Sequence, residues 1–372
     1  MTNFFNFADF TWPEVAELPR SCPLVIPLGE GYPLDRLAEA LGEPPNVGLL
    51  PPIPYGWQGS GLAVPEALLG AYVRNLLDSL RDDGFSRVYA LTPQGIDLGL
   101  GSDRLALPCA APAAAPMPPD DQRGKVILIP VGHIEQHGYH LPLNVDTLCI
   151  DAVAQGTAAA VPGQAFALPV MPYGVSTHRA CFAGTLNAGG RAFEDFYLSL
   201  LEGLVGRGFD RIYLLSGHGG NCSFMTNVIK YAGERHPQTF IATTWLYLNG
   251  PKGTAALEKY RQSALGGMGH ACELETSFIL HLRPDLVHLE RAVDETDFIT
   301  TPSYTMDWVE GGALVANPPW TDDTRTGAYG AGSLGTAKKG ALWLQVAIEE
   351  KVDHVGEIHE QFKRRQERRQ LK

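Results

Sequence analysis

From residue 125 onward, short apolar runs alternate with stretches of helical length, and this alternation restricts the fold more than any other feature of the chain. The run KVILIPV (125–131) has the length and β-branched content of a buried strand. Helical apolar spacing follows over 146–160, then a strand over 166–170, then a second helical pattern over 192–205 that GRGFD (206–210) ends. A strand over 211–215, a helix over 222–233 and a strand over 240–244 complete the series. Such a sequence predicts an α/β fold with a mostly parallel sheet, helices on both faces and right-handed crossovers.

The first 108 residues repeat the order. PLVIPLG (23–29) is similar to VILIPVG (126–132), PYG (54–56) to PYG (172–174), and GFSRVYAL (84–91) to GFDRIYLL (208–215). The offsets grow from about 103 to 118 to 124, so the first copy is the shorter one. Between the copies, CAAPAAAPMPPDD (109–121) is too rich in Pro and Ala to hold a regular ladder and reads as a linker, taken here as 109–123. The expected organisation is a degenerate, smaller α/β copy over 1–108 and a working domain over 124–372. Gln94 stands where the second copy has His218, Tyr32 and Leu34 fall near the places of Glu135 and His137, and Asp35 answers Asp146 without partners. The first copy is expected to keep the fold, to have lost the chemistry, and to form an interface or a pocket wall.

Composition narrows the class. The net charge of −12 argues against a broad nucleic-acid surface, which needs clustered cations, and the basic run at 363–369 reads as the solvated end of a helix. No stretch reaches the roughly 20 apolar residues of a membrane span, and the N-terminus lacks the pattern of a signal peptide. Six scattered cysteines, none in a C-x-x-C pair, suggest neither a disulfide framework nor a thiolate metal site. A reducing cytoplasm is the expected compartment.

Ligand-type residues concentrate in three segments at strand ends or helix starts, the edge of an open α/β sheet where ligands bind. In EQHGYHLPLNVD (135–146), Glu135 and His137 share a side of an extended segment, and Asp146 falls at a helix start, as a ligand or as a capping residue. In GHGGN (217–221), glycines around His218 allow close approach to the backbone, without the spacing of a dinucleotide fingerprint or the lysine of a P-loop. In HACELETS (270–277), Glu273 lies three residues after His270, on one helical face; an acid-rich first helical turn is the plainer alternative. Together Glu135, His137, Asp146, His218 and Glu273 make a set of carboxylates and imidazoles suited to Zn or Mn, and five ligands with a shared carboxylate fit two ions.

These three motifs, in this order, resemble the creatininase (creatinine amidohydrolase) family. YGVSTH (173–178), GT (184–185) and GAYGAGSLGTAKKG (327–340) add to the resemblance, though family members often carry G-D-P where this chain has Gly330, Ala331 and Gly332. The resemblance covers about 125–352 and implies a three-layer α/β/α sandwich, a dinuclear centre of Zn or Mn (Fe being a further candidate) and a homo-oligomer, hexamer or dimer. It implies Glu135, His137, Asp146 (bridging) and His218 as metal ligands, with Glu273 as the remaining carboxylate ligand and catalytic group, and His270 as the acid–base histidine. Creatininase itself carries that carboxylate two residues after the second-motif histidine, where Gly220 stands here, which argues against creatinine as substrate. Cys272 replaces the usual glycine. His178, Thr185 and Asn221 are expected to contact substrate, and Tyr139 and His140 to be structural. Trp308 and Trp320 fall in a Gly/Pro-rich region that reads as surface packing or as a lid.

The expected reaction is hydrolysis of a C–N bond in a small molecule. Other carbonyl substrates known in the family (formylamino compounds, peptide C-termini, oxidised cyclitols) are the alternatives, as is a non-catalytic assembly protein that keeps the fold. No nicotinamide fingerprint is present.

Overall fold

Every apolar run read above becomes a parallel strand, and every helical pattern a helix, with ends displaced by no more than a few residues. The computed structural model describes residues 1–108, 115–177, 181–309 and 311–371. In the N-terminal part, β1 (Asn3–Asn6), α1 (Trp12–Glu17), β2 (Leu24–Pro27), α2 (Leu34–Ala40), β3 (Asn46–Leu49), α3 (Glu66–Asp82), β4 (Val88–Pro93) and β5 (Arg104–Leu107) follow one another. The second part runs β6 (Val126–Val131), α4 (Val145–Ala160), β7 (Ala165–Ala167), α5 (Gly190–Gly206), β8 (Arg211–Ser216), α6 (Asn221–Arg235) and β9 (Phe240–Thr243). It continues through α7 (Pro251–Tyr260), β10 (Met268–His270), α8 (Glu273–Leu282), β11 (Tyr329–Gly330) and α9 (Ala337–Gln370).

Two parallel sheets result, β1-β3-β2-β4-β5 and β7-β6-β8-β9. Without the edge strand β1 they have the same order and sense. Each has a switch point, between β2 and β4 and between β6 and β8, where successive connections leave in opposite directions and a crevice opens at the strands' carboxyl ends.

The pleat decides the layers. Along β6, Val126 and Leu128 enter one core with residues of α4, α8 and α9, whereas Ile127, Ile129 and Val131 enter another with α5 and α6. That second core is shared: it also holds Leu24 and Ile26 of β2 and Tyr72, Val73, Leu76 and Leu77 of α3. The two sheets therefore face each other across α3, α5 and α6. A short β10–β11 antiparallel pair sets GAYGAGSLGTAKKG (327–340) against His270.

Contacts across the shared core exchange equivalent positions. Tyr72 of α3 donates its hydroxyl to the Tyr173 carbonyl (2.6 Å), and Phe196 of α5 stacks on Tyr55 (6.5 Å between centroids). By the sequence offsets, Tyr72 corresponds to Phe196 and Tyr55 to Tyr173, a reciprocity like that of a twofold interface. Tyr173 donates in turn to the Pro51 carbonyl (2.5 Å), and Asn75 to that of Ala188 (2.7 Å). The N-terminal segment reaches further: Leu143 N and Asn144 N donate to the carbonyls of Phe10 and Ala8 (3.0 and 3.2 Å). Trp12 donates to the Thr326 carbonyl (2.8 Å).

The end of the linker is held more firmly than its composition suggests. Arg207 donates to the carbonyls of Met117 and Pro118 and to Asp120 (2.7, 2.5 and 2.8 Å), while Met117 N donates to Gly61 O (2.9 Å). Residues 109–114 lie outside the described ones. Among the described residues no helix is long and apolar enough to cross a membrane.

Two outcomes follow. A fragment of residues 124–372 exposes the apolar face built by Phe193, Phe196, Tyr197 and Leu200; it should aggregate or bind a hydrophobic dye strongly, and a soluble, dye-silent fragment would contradict the shared core. Asp83 accepts from Gly184 N across the interface (2.7 Å), and burial, outweighing that hydrogen bond and the Arg20 charge, pushes its carboxyl up to about 6. The folded state thus binds more protons than the unfolded state between about pH 4 and 6, and its stability falls as pH rises through that window. Asp83→Asn should therefore raise the unfolding free energy at pH 7, by up to about 3 kcal/mol, and leave it unchanged below pH 4.

Candidate metal centre

The crevice at the β6/β8 switch point collects the polar residues read from the sequence. After β6 the chain stays extended: Glu135 N bonds Leu143 O (3.0 Å) and His137 bridges Leu141, so the carboxylate and the imidazole reach the same space. The turn after β8 delivers His218, and the first turn of α4 delivers Asp146. Strand β10 ends on His270. All are buried.

Asp146 stands between two histidines. Its Oδ1 is 3.2 Å from His137 Nε2 and its Oδ2 is 3.2 Å from His218 Nδ1; His218 Nδ1 is also 3.1 Å from Glu135 Oε1. The third carboxylate is Glu275, 3.9 Å from His137 Nε2 and 4.0 Å from His270 Nδ1. His270 Nδ1 is 3.7 Å from Glu135 Oε1. Within this cluster His133, Glu135 and His218 converge, as do Glu135, His137 and His270, and His137, Asp146 and Glu275.

Backbone carbonyls set the protons on three of the rings. Glu135 O faces His137 Nδ1 (3.1 Å), Val175 O faces His218 Nε2 (3.0 Å) and Gln136 O faces His270 Nε2 (2.7 Å). A carbonyl only accepts, so those nitrogens carry the proton and the opposite nitrogens present lone pairs to the carboxylates. Acceptors facing acceptors at 3.2 Å, with three carboxylates out of water, is the arrangement that divalent cations satisfy. His133 is the opposite tautomer: Gly174 N donates to its Nδ1 (3.0 Å), leaving the proton on Nε2, and its ring stacks on His218 at 4.4 Å. It enters the site as a donor.

Glu273, expected as a ligand, is placed elsewhere. Its carboxylate accepts from Gln262 N (2.9 Å), Ser263 N (2.7 Å) and Lys339 Nζ (2.6 Å). The helical i, i+3 relation to His270 fails because α8 begins only at Glu273, after Ala271 at φ 49° and an extended Cys272. Glu273 and Glu275, two apart on a helix, then point about 200° away from each other, and it is Glu275 that faces the histidines. Cys272 Sγ lies 3.9 Å from Glu275 Oε2. A side chain at Gly220 has no room, since a Cβ there would meet Val175 O at 2.3 Å and His218 Nε2 at 2.4 Å.

The expected substrate contacts also change. Asn221 uses both ends of its amide to join loops, accepting from Val175 N (2.9 Å) and donating to Gly132 O (3.1 Å). Thr185 accepts from Gln136 N (3.1 Å). His178 lies outside the described residues. His140, expected to be structural, pairs its Nε2 with Thr276 (2.9 Å), and burial lowers it to about 4, so it stays neutral near pH 7. Unforeseen from the sequence are Glu275, His133, and Gln136, whose amide donates to Gly327 O (2.8 Å) beside His270. Trp320 is buried edge-on against His270, with centroids 5.0 Å apart, whereas Trp308 packs on Tyr247. Trp12, from the N-terminal segment, contacts Tyr139 and Phe182.

The Glu273–Lys339 pair anchors the first turn of α8 from behind. Burial alone would raise the Glu273 carboxyl, but Lys339 and the two backbone donors hold it below the usual range. Lys339→Met leaves a buried carboxylate short of its cation, and should lower the stability to denaturant by roughly 3 kcal/mol; an unchanged midpoint would contradict this anchoring.

Comparison with known proteins agrees with this geometry. The creatininase family profile, described as creatinine amidohydrolase, matches residues 115–355. A creatinine amidohydrolase of Pseudomonas putida is 30% identical over 250 residues, 62% of this chain and 89% of that protein. A 3-dehydro-scyllo-inosose hydrolase of Thermotoga maritima is 32% identical over 176 residues, 45% of this chain and 54% of its own length. A mycofactocin precursor peptide peptidase of Mycobacterium ulcerans is 32% identical over 177 residues, 44% and 61% respectively. Among solved structures, a manganese creatininase aligns with TM-score 0.54 at 25% identity, covering 64% of this chain and 92% of that one. A mutant creatininase of Zn–Zn type aligns with TM-score 0.53 at 26% identity, covering 63% and 90%. Residues 1–114 and 356–372 lie outside the family match, and over 115–355, with its ordered motifs and its crevice of histidines and carboxylates, the chain belongs to the creatininase family.

Proposed function

We propose that the chain is a hydrolase that uses two divalent cations, Zn or Mn, to cleave a C–N bond in a small amide or cyclic amide. The observation that carries this is the cage of three histidines, each held in the tautomer that turns a lone pair toward three buried carboxylates. The relatives in Zn–Zn and Mn forms support the choice of cation. In this reading Glu135, His218 and Asp146 would hold one ion, and His137, Asp146 and Glu275 would hold the other. Glu275 takes the part expected of Glu273.

When bound, such a pair of cations supplies an acidified water and a Lewis acid for the carbonyl. The protein's own residues do the rest. Gln136 O keeps the His270 Nε2 proton in place, so Nδ1 takes up a proton and returns it to the leaving nitrogen. His133 Nε2–H adds a donor among the carboxylates. Trp320, packed on His270, excludes water from that side. The crowded, buried site favours a small substrate. Relatives that act on a peptide and on a cyclitol keep those substrate classes in the search.

The wider reading makes residues 1–108 a degenerate, non-catalytic copy whose shared core and N-terminal segment support the working domain. A homo-oligomer and a cytoplasmic location complete it; the five described cysteines are all free thiols.

Metal analysis tests the assignment. The full chain should bind about two Zn or Mn ions; Asp146→Ala should lose both together with hydrolysis, and Glu275→Gln should lose at least one. Glu273→Gln should retain both. Hydrolysis is to be screened on small cyclic amides, N-formyl compounds, lactones and short peptides. A chain that binds no divalent metal would sink the hydrolase reading.

A further inference from the structure

The proton on His270 Nε2 is fixed by Gln136 O at 2.7 Å, and Gln136 is itself held at three points. Its backbone N–H donates to Thr185 Oγ1 (3.1 Å), its Oε1 accepts from Gly138 N (3.0 Å), and its Nε2 donates to Gly327 O (2.8 Å). The last bond decides how the amide lies against His270, because the two Nε2 atoms are only 3.3 Å apart. Both carry hydrogens, so neither accepts from the other. With the Gly327 carbonyl withdrawn, the amide would be free to turn and offer Oε1 to the His270 proton, in competition with Gln136 O.

Gly327 is placed by a turn that two outside groups hold. It has φ 85°, a left-handed conformation that favours glycine, and a Cβ there would collide with Gln136 Oε1. On one side of the turn, Glu295 accepts from Arg325 N (2.9 Å) and Thr326 N (3.1 Å). On the other, the indole N–H of Trp12 donates to Thr326 O (2.8 Å) across 314 positions of sequence. Trp12 opens α1, and the first turn of that helix is preset. Thr11 N and Thr11 Oγ1 both donate to Glu14 Oε2 (2.9 Å each), while Glu14 Oε1 pairs with Arg291 (3.0 Å). The Trp12 ring packs against Tyr139 and Phe182, with centroids 5.4 and 5.3 Å away. These contacts deliver the indole N–H to Thr326 O in one orientation.

We propose that Trp12 is a positioning residue for His270, acting through the Thr326–Gly327 turn and the Gln136 side chain. The assignment rests on the reading of His270 as the group that moves the proton. It gives α1, which lies outside the family match, a part in the chemistry. With Trp12 in place the His270 ring proton has one acceptor, and Nδ1 turns its lone pair in one direction.

Three ring protons face carbonyls, on His137 Nδ1, His218 Nε2 and His270 Nε2, and they should give separate low-field lines in the proton NMR spectrum of the full chain purified with zinc. The His270 line is the one missing from His270→Asn. Trp12→Phe keeps a ring against Tyr139 and Phe182 but removes the N–H. It should speed exchange of the His270 proton with water at least about fivefold, the effect of losing one hydrogen bond, and leave the His137 and His218 protons unchanged. Trp12→Met, flexible and without a donor, repeats the test if the phenylalanine variant folds poorly. An unchanged His270 proton, or equal acceleration of all three, would overturn the role, the second result making Trp12 a packing residue only. The zinc content of the same samples is a separate readout. A chain that binds no zinc fails the hydrolase reading, whereas the comparison of the three ring protons still decides the role of Trp12.

Discussion

Three carboxylates buried within reach of one another are the constraint on which this structure turns. Glu135, Asp146 and Glu275 have little access to water, and like charges in a poor dielectric repel strongly unless cations lie among them. The histidines do not relieve this in their observed tautomers, because each turns a lone pair toward the carboxylates. The site is built around positive charge that the protein itself does not supply, and the loops, caps and helix starts around it serve to hold that arrangement.

Much of the holding comes from far away in sequence. Carbonyls of Ala8 and Phe10 fix the chain immediately before α4, and so fix the approach to Asp146. Behind α8, Lys339 and the backbone at Gln262 and Ser263 clamp Glu273, which orients the turn bearing Glu275. The N-terminal part thus contributes to the crevice. The apolar layer of α3, α5 and α6 joins the two sheets into one core.

The misplaced ligand is instructive. Reading HACELETS as a continuous helix puts His270 and Glu273 on one face. The chain instead ends a strand at His270, passes through Ala271 in a left-handed conformation and starts the helix at Glu273. A phase error of that size exchanges the two glutamates, since residues two apart on a helix look in opposite directions. Glu135, His137 and Asp146 meet in one crevice because their extended segment and helix start sit where the alternation places them. Thr185 and Asn221 looked like substrate contacts, yet their polar atoms are spent on the backbone of neighbouring loops, a use that only three-dimensional neighbours reveal.

The sequence by itself determined the alternation of strand and helix, the parallel sheets, the repeated order of elements and four of the candidate ligands, because periodicity and residue type act locally. Only the tertiary structure decided which glutamate of α8 faces the histidines, which nitrogen of each histidine turns toward the carboxylates, and that the two sheets share a core. Those outcomes depend on groups more than a hundred residues apart meeting in space: Gln136 with His270, Tyr72 with Tyr173, Ala8 with Asn144. Hydrogen-bond direction and helix phase are settled at such meetings, and no local pattern encodes them.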